Sequence, residues 1–115
     1  MKDRAALRER YLRDELPVRL GGLAANLARV KSFSDHSGHQ KVVERLLEES
    51  KFFIEWTIRD ANLDIQAELV ELQLHLAQWQ RNWERIWPDL AQREAVAEQA
   101  GRASRQVLKM AGLVN

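Results

Sequence analysis

The feature that most constrains this chain is an uninterrupted row of apolar residues between positions 65 and 86. Its members are spaced alternately four and three residues apart, which places them on one face of an α-helix. They are Ile65, Leu69, Leu72, Leu76, Trp79, Trp83 and Ile86. Because a strand sends successive side chains to opposite sides, it could not gather them. The segment therefore predicts a long helix, with Asp64 as its N-cap, that buries this face.

Helical periodicity also covers the N-terminal part of the chain, from Asp3 as N-cap to Val30. Pro17 interrupts that segment, and we expect a kink or a break there because proline lacks an amide donor and crowds the preceding turn. Gly21 and Gly22 lie further along the same helix. Since glycine lowers helix stability, the pair predicts a bulky neighbour that approaches the backbone closely.

Residues 31–40 read as a loop, and Ser37 with Gln40 matches the S-x-x-Q pattern of a capping box. A second helix is therefore predicted from this box to about Ala61. Its core face is broad and apolar, while Phe52 and Trp56 project from its other side.

Pro88 leaves two arrangements open at the end of the third helix. Proline suits the first turn of a new helix, so a turn there would begin a fourth helix that runs to about Gly112. The alternative is one long, kinked helix from Asp64 onward. We predict the turn, because a helix of about fifty residues would be unusual in a chain of this size.

Four helical segments in 115 residues predict an all-α protein. The specific architecture predicted is a four-helix antiparallel up-and-down bundle, with a kinked first helix and short connections. The length fits a single domain over residues 1–115, with residues 1–15 as a loosely packed N-terminal arm.

Composition narrows the class of protein. The chain has no cysteine, which excludes disulfides and thiolate metal sites. Its net charge is +1, which disfavours a nucleic-acid binder. No segment has the apolar length of a membrane span, and the N-terminus lacks the apolar core of a signal peptide. We therefore expect a soluble, cytoplasmic protein without a nucleic-acid or membrane partner.

A second apolar stripe lies on the third helix, nearly opposite the first. It comprises Leu63, Ala67, Val70, Leu74 and Ala77. A bundle helix normally has one apolar face and a polar back, so two stripes indicate burial on both sides. Either the N-terminal arm covers the extra residues or a second subunit does, and we predict a homodimer or another protein partner. The predicted interface residues are Phe52, Trp56, Leu63, Val70 and Leu74.

Trp79, Trp83 and Trp87 recur every four residues, so they lie along one helix face. Such a row is typical of a core in which large side chains fill space opposite the Ala- and Gly-rich faces of the first and fourth helices. The alternative is an aromatic pocket for a flat ligand near these three residues.

No residue pattern predicts catalysis, a cofactor or a metal. His36 and His39 lie in the expected loop without a second ligand pair. Glu71 and His75 form a single Glu-x-x-x-His, whereas di-metal bundles repeat Glu-x-x-His on two helices. The sequence predicts a non-enzymatic interaction protein that acts through self-association or as a subunit or adaptor. A small-ligand or regulatory binding bundle, with the tryptophan pocket, is the alternative.

Overall fold

Every regular element of the computed structural model, which describes residues 3–114, is helical. The six α-helices are α1 (Arg4–Arg13), α2 (Leu16–Phe33), α3 (Gln40–Thr57), α4 (Leu63–Arg81), α5 (Trp83–Ile86) and α6 (Leu90–Met110). Two single 3₁₀ turns, Ser37–His39 and Ile58–Asp60, flank α3. The all-α prediction is confirmed. The four-helix up-and-down bundle is not, because the first and third predicted helices are each divided in two.

The break in the first predicted helix lies just before Pro17. Asp14 and Glu15 adopt extended backbone conformations that end α1 and begin α2. Pro17 then occupies the first turn of α2, where its missing amide hydrogen leaves no hydrogen bond unmade. The proline thus begins a new helix, and α1 is free to pack at an angle of its own.

Tyr11 is the buried residue of α1 and attaches this helix to the remainder of the protein. Its ring stacks on Phe53, with centroids 4.0 Å apart and planes 7° from parallel. Its hydroxyl donates to the backbone carbonyl of Arg19 at 2.7 Å and accepts from the Thr57 hydroxyl at 3.2 Å. A Cβ at Gly22 would lie 3.7 Å from the same ring. Tyr11 therefore joins α1 to both α2 and α3.

The centre of the protein is α2, which packs extensively against α3 on one side and α6 on the other. Small residues on α6 allow a close approach, and the Ser104 hydroxyl donates to the carbonyl of Ala24 at 2.7 Å. A Cβ at Gly101 would come within 2.7 Å of the Lys31 side chain. A Cβ at Gly21 would lie 3.2 Å from Leu113. The prediction of a bulky neighbour close to the backbone is confirmed at Gly21 by Leu113, whereas at Gly22 the Tyr11 ring lies at an ordinary van der Waals distance.

The start of α3 differs from the prediction. Helix α2 extends through Phe33 into the expected loop, and α3 begins only at Gln40. The capping box is wrong, because the N-cap of α3 is His39 and no side chain caps it, while Ser37 lies in the preceding 3₁₀ turn. The N-cap of that turn is His36, whose side chain accepts from the Gly38 amide. The Nδ1 of His39 lies 3.1 Å from the carbonyl oxygen of Phe33. Both loop histidines therefore close this turn.

The third predicted helix also has different ends. Asn62, not Asp64, is the N-cap of α4, since its side chain accepts from the amide of Ile65 at 2.9 Å. Near its other end the helix breaks at Asn82 and resumes as α5. The predicted turn at Pro88 is confirmed, although the proline precedes the N-cap of α6, Asp89, and does not lie within the helix.

The environment of Tyr11 leads to a prediction about alkaline pH. Burial raises the pKa of its phenol from 10.0 to about 12, because the charged phenolate would lose its hydration. The neutral phenol stabilises the folded protein fully below pH 10, and this contribution of about 3 kcal/mol is lost as the pH rises through 12. Since Tyr11 is the only tyrosine, we expect phenolate absorbance to rise with a midpoint near 12 in the folded protein and near 10 in denaturant. A midpoint near 10 in the folded protein would show that the Tyr11 ring is not buried against α2 and α3.

Candidate interaction surfaces on α4

Helix α4 is held to the protein by its predicted core face. Leu69, Leu72, Leu76 and Trp79 are all buried, and Trp83 and Ile86 continue the buried row into α5. Ile65, the first residue of the predicted row, is only half-buried. The helix packs mainly against α3 and touches α6 only lightly. Its remaining sides are therefore available for other contacts.

The second stripe of α4 faces outward from the structure. Leu63 is 81% exposed, Leu74 61% and Val70 49%. Ala67, which lies between Leu63 and Val70, and Ala77, which follows Leu74, are exposed as well. We call these five residues the α4 outer face. Single exposed apolar residues are common on proteins, but five on one helix face form a continuous patch of the kind found at interaction sites.

Phe52 and Trp56, the other two predicted interface residues, have partners within the chain. The guanidinium carbon of Arg4 lies 4.0 Å from the centroid of the Phe52 ring. The Trp56 ring lies 5.9 Å from that of Tyr11. Both residues are half-buried. Of the two explanations left open by the sequence, the N-terminal arm accounts for these aromatics, but it does not cover the α4 outer face.

The two edges of the α4 outer face differ in chemistry. At 100° per residue, Gln66 and Gln73 lie along one edge, while Asp64, Glu71 and Gln78 lie along the other. Lysine and arginine are absent from α4 before Arg81, its last residue. The patch is therefore bordered by neutral amides on one side and by carboxylates on the other.

A groove of about 590 Å³ separates α4 from α6. Its floor consists of Leu72, Trp79, Ala103, Val107 and Met110. Glu68, Glu71 and His75 form the α4 wall, and Gln99, Arg102 and Gln106 form the α6 wall. At one end of the groove a second depression, which shares Glu68 with it, continues along the first turns of α4, past Asn62, Asp64 and Ile65. From Asn62 to Trp79 the two together span about 25 Å at 1.5 Å per residue.

The three predicted pocket tryptophans occupy different surroundings. Trp79 lies in the groove floor beneath the His75 ring, whose plane is within 16° of its own. Trp83 lines a separate depression together with Glu44 and Glu48. Its indole N–H is buried without a hydrogen-bond acceptor among residues 3–114.

Trp87 is fixed in the core near the start of α6. Its indole N–H donates to the carbonyl of Ser37 at 2.8 Å. The guanidinium of buried Arg93 lies over its ring at 5.2 Å and donates to the carbonyls of Ser34 and Trp87. Of the three tryptophans, only Trp79 lines the α4–α6 groove.

The α6 wall of the groove was not identified from the sequence. Gln99, Arg102 and Gln106 recur at helical spacing beside Ala103, which is the one signal they carry. That spacing is equally typical of any solvated helix face. They become part of a site only because α6 lies beside α4, and this neighbour relation is set by packing far apart in the chain.

No protein-family model, curated protein or solved structure matches this chain. Among residues 3–114, no helix is both long and apolar enough to cross a membrane.

Two substitutions on α4 distinguish its exposed and buried sides. Leu74→Glu places a charge in solvent and is expected to change the free energy of unfolding of the monomer by no more than about 0.5 kcal/mol. Leu76→Glu, two residues on, buries a carboxylate without a partner and is expected to cost about 3–5 kcal/mol. Urea denaturation in dilute solution measures both. Equal losses in the two variants would mean that the outer face is covered within the monomer.

Proposed function

We propose that this protein is a non-enzymatic interaction protein that self-associates through the α4 outer face. The observation that carries the proposal is the exposure of Leu63, Val70 and Leu74 on one side of a helix whose opposite side is buried. Water contact with these side chains is unfavourable, and a second apolar surface would remove it.

A second copy of the chain fits this surface because the surface is self-complementary. Leu63, Val70 and Ala77 are seven residues apart, and so are Ala67 and Leu74. This is the a/d spacing with which two identical helices pack side chains into one another. Alanines at two of the five positions let the helices approach closely.

The size of the patch supports a weak dimer. Burying Leu63, Val70 and Leu74 from both copies contributes about 6–12 kcal/mol. Association costs about 4–15 kcal/mol in lost translational and rotational freedom. Since the two ranges overlap, the expected dissociation constant is in the micromolar range or above, and the population of the dimer depends on concentration.

Charge along the edges favours a parallel arrangement of the two α4 helices. In a parallel pair, Gln66 faces Glu71 of the other copy and Gln73 faces Gln78, so no like charges meet along these two edges. The two Arg81 side chains, seven residues beyond Leu74, are the like charges that meet, at the last residue of the helix. In an antiparallel pair centred on Val70, Glu71 would face its own equivalent. Like charges at such positions are destabilising.

Sedimentation velocity over a micromolar concentration series tests the self-association. We expect a concentration-dependent dimer for the wild type and a monomer for Leu74→Glu, because the substitution places two carboxylates in the contact. Leu90→Glu is the matched control, since Leu90 is 57% exposed at the start of α6, outside the patch. It should dimerise like the wild type. A wild-type monomer at every concentration would refute the proposal.

Cysteine cross-linking tests the orientation, because the natural chain contains no cysteine. In a parallel dimer, Leu63→Cys lies opposite its own equivalent and should form a disulfide-linked dimer on mild oxidation. An antiparallel dimer would instead require a mixture of Leu63→Cys and Ala77→Cys chains. Cross-linking seen only in that mixture would show that the parallel arrangement is wrong.

A further inference from the structure

We infer that the groove between α4 and α6 binds an amphipathic helix of another protein, with a basic edge of that helix lying along α4. This inference goes beyond self-association, because the groove and the α4 outer face are different sides of the helix, which meet at the edge that carries Asp64 and Glu71. It does not depend on the dimer.

The shape of the groove fits a helix better than a small molecule. Small-molecule sites enclose most of the ligand surface. This groove is open to solvent, because α4 and α6 make few contacts with each other. Together with its continuation past Ile65 it is about 25 Å long, measured along α4. That length corresponds to four or five helical turns. Helix α4 flanks this whole length, and α6 flanks the part from Gln99 to Met110, about 16 Å. A docked helix would therefore lie where a further bundle helix would pack.

The floor provides an apolar contact line for such a helix. Ile65, Ala103 and Met110 are partly exposed along it, above the buried side chains of Leu72 and Val107. Ala103 is the smallest of these and leaves room for a large side chain from the partner. Met110 is unbranched and can adapt its shape to different partners.

The walls determine the charge of the partner. Asp64, Glu68 and Glu71 line the α4 side, and no lysine or arginine accompanies them. On the α6 side the charged group is Arg102, which already pairs with Glu98 at 2.6 Å. The groove is therefore acidic along α4, and lysines or arginines on the facing edge of the partner would complement it.

The same charges disfavour α4 of a second copy as the occupant. Its outer face carries Asp64 and Glu71 along one edge, and no basic residue along the other. Placing it in the groove would bring carboxylates against carboxylates. The α4 outer face of a second copy therefore does not suit this groove.

Two synthetic helices of about five turns test the inference. Both carry leucine at the a and d positions. One has lysines along one edge and glutamates along the other, and the second has glutamates along both edges. Fluorescence anisotropy of the labelled peptides is measured against Leu74→Glu protein, so that self-association does not interfere. We expect the basic-edged peptide to bind at least about tenfold more tightly than the acidic one. No binding of either peptide, or equal binding of both, would overturn the inference.

Substitutions in the groove locate the binding. In the same Leu74→Glu background, Ala103→Trp fills the floor and should weaken the basic-edged peptide by more than about tenfold. Glu68→Lys with Glu71→Lys should abolish the preference for it. Glu55→Lys with Glu94→Lys is the matched control, because both glutamates are exposed away from the groove and should leave the preference unchanged.

Circular dichroism shows whether the Ala103→Trp variant folds. If it does not, the variant with Glu68→Lys and Glu71→Lys still tests the inference. A preference that survives Glu68→Lys with Glu71→Lys would place the peptide elsewhere and refute the groove. Because these measurements use the Leu74→Glu variant, their outcome is separate from that of the sedimentation experiment. Peptide binding to the groove can be refuted while self-association is confirmed, and the reverse.

Discussion

The close packing of α2 against α6 is the contact on which the remainder of this structure depends. Leu20, Leu23, Leu27 and Val30 are almost fully buried on α2. On α6, Ala100, Gly101 and Ser104 are small enough for the two backbones to approach, and the Ser104 hydroxyl bonds to a backbone carbonyl of α2. A larger residue at 101 would require the exposed side chain of Lys31 to shift. Small side chains at these positions therefore do more for the fold than their modest apolar area indicates.

This arrangement accounts for the exposure of α4. Since α3 and α6 occupy the two sides of α2, α4 packs mainly on α3 and is anchored by its leucines and Trp79. Two of its sides then remain open, the outer face with Leu74 and the groove toward α6. A helix held by one face has room for partners on the others, and this is the structural basis for both proposals.

The sequence predicted the features that follow from local periodicity. Three features could be predicted because they depend on residues close together in the chain. They are the core row from Leu69 to Ile86, the Asp3 cap and the turn at Pro88. The residue that caps each of the other helices was harder to predict. Asn62 and Asp64 are both good N-caps, and so is Ser37, but the backbone path that selects among them is set by packing.

The neighbours of each face could not be predicted from the sequence. Apolar spacing showed that Phe52, Trp56 and Leu74 all lie off the core faces, but not that α1 would cover the first two and leave the third exposed. The burial of Arg93 could not be predicted either. Its guanidinium donates to the carbonyl of Ser34, which lies 59 residues away in the chain. The α4–α6 groove is likewise a product of two helices that touch only lightly.

The α4 outer face is exposed in the monomer, and we propose that a second copy covers it. Methyl NMR with a soluble paramagnetic agent tests it directly, because the agent broadens only methyl groups that it can approach. In dilute solution we expect strong broadening of Leu63, Val70 and Leu74, and none of Leu69 and Leu76. At high concentration the first three should become protected. Protection of Leu63, Val70 and Leu74 in dilute solution, or their continued broadening at high concentration, would contradict the account.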